Sequence, residues 1–130
     1  MAREQSPFDR FKRQQTVLLT TYRRDGTPVR TPVNIAVEGE RAFVRTQERA
    51  GKYKRMRRNA SVEIAPSTFF GRATGPSMRA RARLLEGAEA ARASKAVARK
   101  HRIQQGIIVP LLHRLRRDRA AHFELTPEDG

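Results

Sequence analysis

The stretch "QTVLLTTYRRDGTPVRTPVNIAVEGERAFVRT", residues 15–46, divides into three apolar and β-branched runs separated by polar reversals. Asp25-Gly26 has the chemistry of a tight hairpin, and "EGE" at Glu38 to Glu40 marks a second reversal. Three sequential antiparallel strands, a meander, are therefore predicted. In the middle strand Val29, Thr31 and Val33 alternate with Arg30, Pro32 and Asn34. Pro28 and Pro32 lack a backbone N–H, which places them at a strand end, a bulge or an edge and predicts an irregular strand.

The remaining pattern completes the order of elements. In "SPFDRFKR", Ser6 is positioned as an N-cap with Pro7 at the first helical position, which predicts a short leading helix. Gly51 to Arg58 reads as a single short helix, Ser61 to Pro66 as a strand, and "STFFGRATGPS" as a glycine-containing loop. Met78 to Leu84 has a strict period of two, with Met78, Ala80, Ala82 and Leu84 on one face and Arg79, Arg81 and Arg83 on the other. From Gly87 to about Arg102 the alanine-rich "GAEAARASKAVARKHR" predicts a surface helix with a thin apolar stripe. "IIVPLLHRLRR" predicts a second helix that Pro110 begins or kinks, and "RAAHFELTP" a closing strand. The expected architecture is an antiparallel, barrel-like α+β domain with flanking helices, one domain over residues 1–130.

Composition narrows the chemistry. With 130 residues and 38% hydrophobic content, the chain can bury one core without disulfides or a structural metal. The lack of cysteine excludes disulfide frameworks, thiolate metal sites and thiol nucleophiles, and fits a reducing cytoplasm. "MAREQSPFDRFKRQQ" has no apolar signal region, and the longest apolar run, "IIVPLL", is too short to span a bilayer. A soluble, cytoplasmic protein is expected. The net charge of +15 attracts nucleic acid, acidic lipid or a multiply charged small molecule, without choosing among them.

"GKYKRMRRN", Gly51 to Asn59, concentrates that charge, with five cations in nine positions between two strands. At 100° per residue Tyr53 and Met56 share one side of the helix and can pack on the sheet, whereas Lys54, Arg55 and Arg58 point away. Lys52 lies in the first turn, where the helix dipole is already positive, so a cation there is unfavourable unless an anion occupies the site. Free amides, Gly51 and a lysine make a phosphate cradle; a solvated basic helix is the competing reading.

The ordered set "RTPVNIAVEGERAFVRTQERAGKYKRMRRNASVEIAPSTFFGRATGPSMRARARLLEG" resembles the pyridoxamine 5′-phosphate oxidase-like split-barrel superfamily. It is most similar to the actinobacterial branch of flavin- and deazaflavin-dependent (coenzyme F-420) oxidoreductases. The likeness covers Thr16 to Glu86 and the closing "FELTP", with Ala60 standing where the family usually has proline and an unusually apolar "STFFGRATGPS" loop. It implies a split β-barrel, a homodimer with the cofactor at the interface, and a reductase that passes hydride from reduced coenzyme F-420 to a small organic acceptor. Lys52, Arg55 and Arg58 would lie near the cofactor phosphate, with Thr46 as a hydroxyl donor. Lys54 and Arg57 would guide an anionic tail. Arg30, Thr31, Pro32 and Val33 would line the edge of the tricyclic ring, and Ala65, Pro66 and Ser67 would approach from the neighbouring strand.

Three other readings compete. The same fold could bind FMN or haem, could store its cofactor without turnover, or the basic surface could be a nucleic-acid-binding module. Against the last, Tyr22, Tyr53, Phe69 and Phe70 form no stacking platform and no nucleic-acid motif is present, so no specific nucleic-acid partner is expected. His101 and His113 read as surface or interface residues and His122 as a half-buried strand residue. Their spacing matches no metal pattern, and no metal is assigned.

Overall fold

Alternation along six strands supplies one shared interior. The computed structural model describes residues 6–105 and 120–128. Strands β1 (Thr16–Tyr22), β2 (Pro28–Glu38), β3 (Arg41–Gln47), β4 (Ser61–Pro66), β5 (Met78–Leu84) and β6 (Ala120–Pro127) form a closed antiparallel barrel in the order β1-β2-β3-β6-β5-β4. Helix α1 (Gly51–Arg58) joins β3 to β4, and α2 (Gly87–Gln105) follows β5. The chain thus has the α+β split-barrel fold that its sequence predicts. Val17, Leu19, Val33, Ile35, Val44, Val62, Ile64, Ala80, Phe123 and Leu125 fill the interior, and Met56 of α1 is buried with them. Tyr53 packs edge-on against Phe123 at 5.8 Å between ring centres.

The short leading helix that the sequence predicts is present as a single 3-10 turn, Asp9–Phe11, but its N-cap position is Phe8 and not Ser6. Ser6 Oγ accepts the Phe8 N–H (3.2 Å) and Asp9 Oδ2 accepts the Ser6 N–H (3.1 Å), so the local polar groups close on themselves within one turn. Phe8 and Phe11 are both fully buried in the barrel core, and burying this pair outweighs extending the helix.

Strand β2 is continuous over its 11 residues, so the predicted irregularity does not occur. Pro28 is its first residue. The strand pairs with β1 over Pro28–Asn34 but with β3 only over Ile35–Glu38. The Ile35 N–H bonds to Gln15 O on the β1 side at 3.3 Å. Strand alternation therefore turns the Pro32 nitrogen to the opposite, unpaired side, where a missing donor costs nothing.

Helix α2 covers the outside of β2 and β3, where Ala93 and Val97 pack with Ala36, Phe43 and Leu85. Its thin apolar stripe is supplemented by polar anchors. Lys100 Nζ donates to Gln14 O (2.5 Å) and Ile35 O (2.9 Å), and His101 Nε2 lies 3.0 Å from Ile35 O. His101 is 5% exposed, which corrects its placement at the surface: the helix needs its C-terminal turn docked to reach β2. The helix expected after Gly106, and His113 within it, lie outside the described residues.

Candidate functional site

Because β2 and β3 part company beyond Ile35 and Val44, the barrel opens a cleft of about 540 Å³ along that seam. Pro32, Val33 and Asn34 line it from β2, Arg45, Thr46 and Gln47 from β3, Thr16 from β1, Lys52 from α1 and Phe69 from the loop after β4. One wall is apolar and the other polar and cationic.

The polar wall is electrostatically incomplete. Thr46 shares the inward parity of Ala42 and Val44, is 5% exposed, and its Oγ1 has no hydrogen-bond partner among the described residues. Thr31 Oγ1 on β2 is likewise buried and without a partner. Leaving a buried hydroxyl unsatisfied costs on the order of 1–3 kcal/mol. Lys52 is half-buried, and burial, with repulsion from Arg55 second, pushes its ammonium below the usual lysine range. Burial does the same to the half-buried Arg45.

Helix α1 adds to the deficit. Its N-cap is Ala50, which makes no side-chain cap, and its first turn contains no acid. An uncapped helix start beside a desolvated cation and an orphaned hydroxyl is a place where an anion is stabilised.

The thirteen residues singled out from sequence separate on the structure. Pro32, Val33, Thr46 and Lys52 come together in the cleft lining. Thr31 lies next to them in sequence with its hydroxyl buried, and Arg30 is exposed on the same strand. Arg55 folds across Gly51 and donates from Nε to Thr21 Oγ1 at 2.6 Å, outside the lining. Burial and the neighbouring Arg23 and Arg58 push its guanidinium downward. Arg58 donates to Tyr22 O at 3.4 Å, and Arg57 donates to the Tyr53 hydroxyl at 3.0 Å while lying over its ring. Lys54 is exposed. Ala65 and Pro66 pair with Leu18 and Val17, and Ser67 is buried with its hydroxyl donated to Thr68 O; none of these three lines the cleft.

Thr16, Asn34, Arg45, Gln47 and Phe69 were not legible as cleft residues. Asn34, Arg45 and Gln47 flank residues that were, and strand adjacency was the available signal. The contribution of Phe69 requires the loop's path. His122, opposite Arg45 in the β3–β6 pairing, is 7% exposed and more deeply buried than expected. Burial, then the charge of Arg45, lowers its pKa.

A scan against family models gives no match, and neither does a search of curated proteins. Solved structures do match. An F420 reductase is 18% identical, with a TM-score of 0.64 over 98% of this chain and 97% of that one. The haem-storage protein HutZ from Vibrio cholerae is 21% identical, with a TM-score of 0.66 over 95% and 89%. A Listeria innocua protein assigned as a pyridoxamine 5′-phosphate oxidase is 18% identical, with a TM-score of 0.63 over 92% and 88%. At these identities the likeness is one of fold.

Proposed function

We propose that this chain is a coenzyme F-420-dependent oxidoreductase that reduces a small organic acceptor, working as a homodimer. The reading rests on Thr46 Oγ1, buried and without a partner among the described residues, and on the desolvated Lys52 in the first turn of α1, both lining one cleft. These residues fit a phosphate-bearing cofactor: Thr46 donates its hydroxyl, Lys52 supplies charge, and both lose the penalty they carry alone. Pro32 and Val33 offer an apolar wall for a ring system, Arg30 and Thr31 its strand edge, and Ala65, Pro66 and Ser67 the support behind it. Lys54 and Arg57 are exposed for an anionic tail, while Arg55 and Arg58 raise the local positive potential from their anchors on β1. When bound, the deazaflavin supplies the hydride chemistry; the chain binds, orients and neutralises.

Specific observations weigh against two rivals. None of the residues lining the cleft is a histidine, so the described cleft offers no imidazole ligand to haem iron. On the basic face of β5, Arg79 pairs with Glu128 at 3.7 Å and Arg83 with Glu89 and Glu124 at 2.9 and 3.2 Å. Two of the three stripe arginines are thus engaged internally rather than presented to phosphates.

Titrating coenzyme F-420 and FMN into the purified protein, followed by calorimetry or fluorescence, tests the reading. Coenzyme F-420 is expected to bind more tightly, and Lys52→Ala to weaken it by about tenfold. Tight FMN binding without detectable F-420 binding overturns the choice of cofactor. Equal affinity of Lys52→Ala and wild type removes the cradle.

A further inference from the structure

Thr21 takes no part in the cleft lining, yet it is a buried polar group with a charged partner. It shares the inward parity of Val17 and Leu19 on β1, is 1% exposed, and its Oγ1 accepts a hydrogen bond from Arg55 Nε at 2.6 Å. An arginine on a short outer helix ordinarily turns its guanidinium to water. Arg55 instead reaches from α1 to the barrel, and it does so against opposition. Burial disfavours its charge first, and Arg23 and then Arg58 add repulsion. Among the described residues, Thr21 is the one hydrogen-bond partner of its side chain, so this hydroxyl is what holds the guanidinium in place.

Gly51 leaves the room for it. A Cβ at Gly51 would stand 2.6 Å from Arg55 Nη1, 3.4 Å from Cζ and 3.6 Å from Nη2, so the guanidinium fills the space of a side chain at this position. Gly51 does not have the left-handed backbone found at Gly26, Gly39, Gly71 and Gly87. Glycine is the poorest helix former after proline, and in ordinary backbone it brings no conformational gain. Its missing side chain is accounted for by what lies in its place. Arg55 does not itself line the cleft, but it stands against the first turn of α1, near enough to Lys52 to add to the lowering of that ammonium's pKa. No carboxylate among the described residues pairs with either cation. A shared anion would turn their repulsion into attraction.

The geometry points to Thr21 and Gly51 as positioning residues for the anion site: Thr21 tethers Arg55 through Nε, and Gly51 gives its terminal nitrogens a place at the start of α1, where they meet the cofactor phosphate together with Lys52. This assignment rests on the cleft binding a phosphate-bearing cofactor. A tether at Nε leaves both terminal nitrogens to donate to an anion, which the single ammonium of a lysine could not do. The planar fork is also oriented before the ligand arrives, so less side-chain freedom is lost on binding.

Calorimetric titration of coenzyme F-420 and of inorganic pyrophosphate tests the assignment in two double-mutant cycles. Arg55→Gln should weaken both ligands about tenfold, and Thr21→Val and Gly51→Ala about three- to fivefold each. In the Arg55→Gln background neither substitution should weaken binding further, because both act through the guanidinium. Gly51 is exposed, and Gly51→Ala should not lower the thermal midpoint of the ligand-free protein, so its loss of affinity is read on an intact fold. Equal weakening with and without Arg55 would overturn the proposal, making Thr21 a packing residue and Gly51 room for the ligand itself. Wild-type affinity in Thr21→Val would overturn it as well. Pyrophosphate binding that shows both couplings, without F-420 binding, would refute the choice of cofactor and uphold the positioning residues; a protein that binds neither ligand overturns both.

Discussion

Replacing Thr46 by valine separates binding from stability at one atom. The buried hydroxyl has no partner among the described residues, so an isosteric methyl removes a desolvation penalty at almost no packing cost. Thermal unfolding of the cofactor-free protein is expected to show Thr46→Val more stable than wild type by about 1 kcal/mol. The same variant should bind coenzyme F-420 more weakly, because the lost hydroxyl is the donor the ligand would satisfy. A variant that is destabilised and binds normally would place Thr46 in the fold rather than in the site. This coupling, extra stability at the expense of binding, is what a site held ready for an anion produces.

Helix α2 depends on two side chains at its end as much as on its apolar stripe. Lys100 satisfies two carbonyls, of Gln14 and Ile35, while burial pushes its ammonium below the usual lysine range. Lys100→Met keeps the aliphatic stem but leaves both carbonyls without this donor. Urea denaturation should show a loss of about 1–3 kcal/mol, larger than for a solvated lysine. Strand β2 shows the converse: Pro32, which would break a central ladder, sits on the length of strand that borders the cleft. A feature that looked like an irregularity in sequence is an open edge in the fold, and that edge is the site's wall.

Acidity acts on the molecule as a whole. The pKa values of His101 and His122 both lie below the ordinary 6.5, chiefly through burial, with Lys100 and Arg45 adding repulsion and the Ile35 carbonyl partly opposing it at His101. As pH falls below 6.5 the unfolded chain takes up protons that the native chain resists, so stability declines until the native pKa values are reached. Urea midpoints should therefore be lower at about pH 5.5 than at about pH 7.5, and His122→Gln should flatten the difference. A midpoint independent of pH over this range would mean that neither imidazole is held neutral.

The sequence by itself determined the elements. Gly51–Arg58, Ser61–Pro66 and Met78–Leu84 have the bounds their patterns predict, because helix and strand periodicities are local and the turn glycines, Gly26 and Gly39 at φ 88° and 63°, announce themselves. It also marked Lys52, since a cation in the first turn of a helix is a local anomaly, whereas Thr46 was marked only through the family resemblance. Only the tertiary structure decided which residues face each other. Arg55 and Lys52 have the same charge three positions apart, yet one is tied to Thr21 and the other lines the cleft. Asn34, Arg45 and Phe69 meet there only because β2 and β3 diverge and the β4–β5 loop folds back over Pro32. Register and closure depend on contacts far apart in the chain, and residue type alone carries no record of what lies across a cleft.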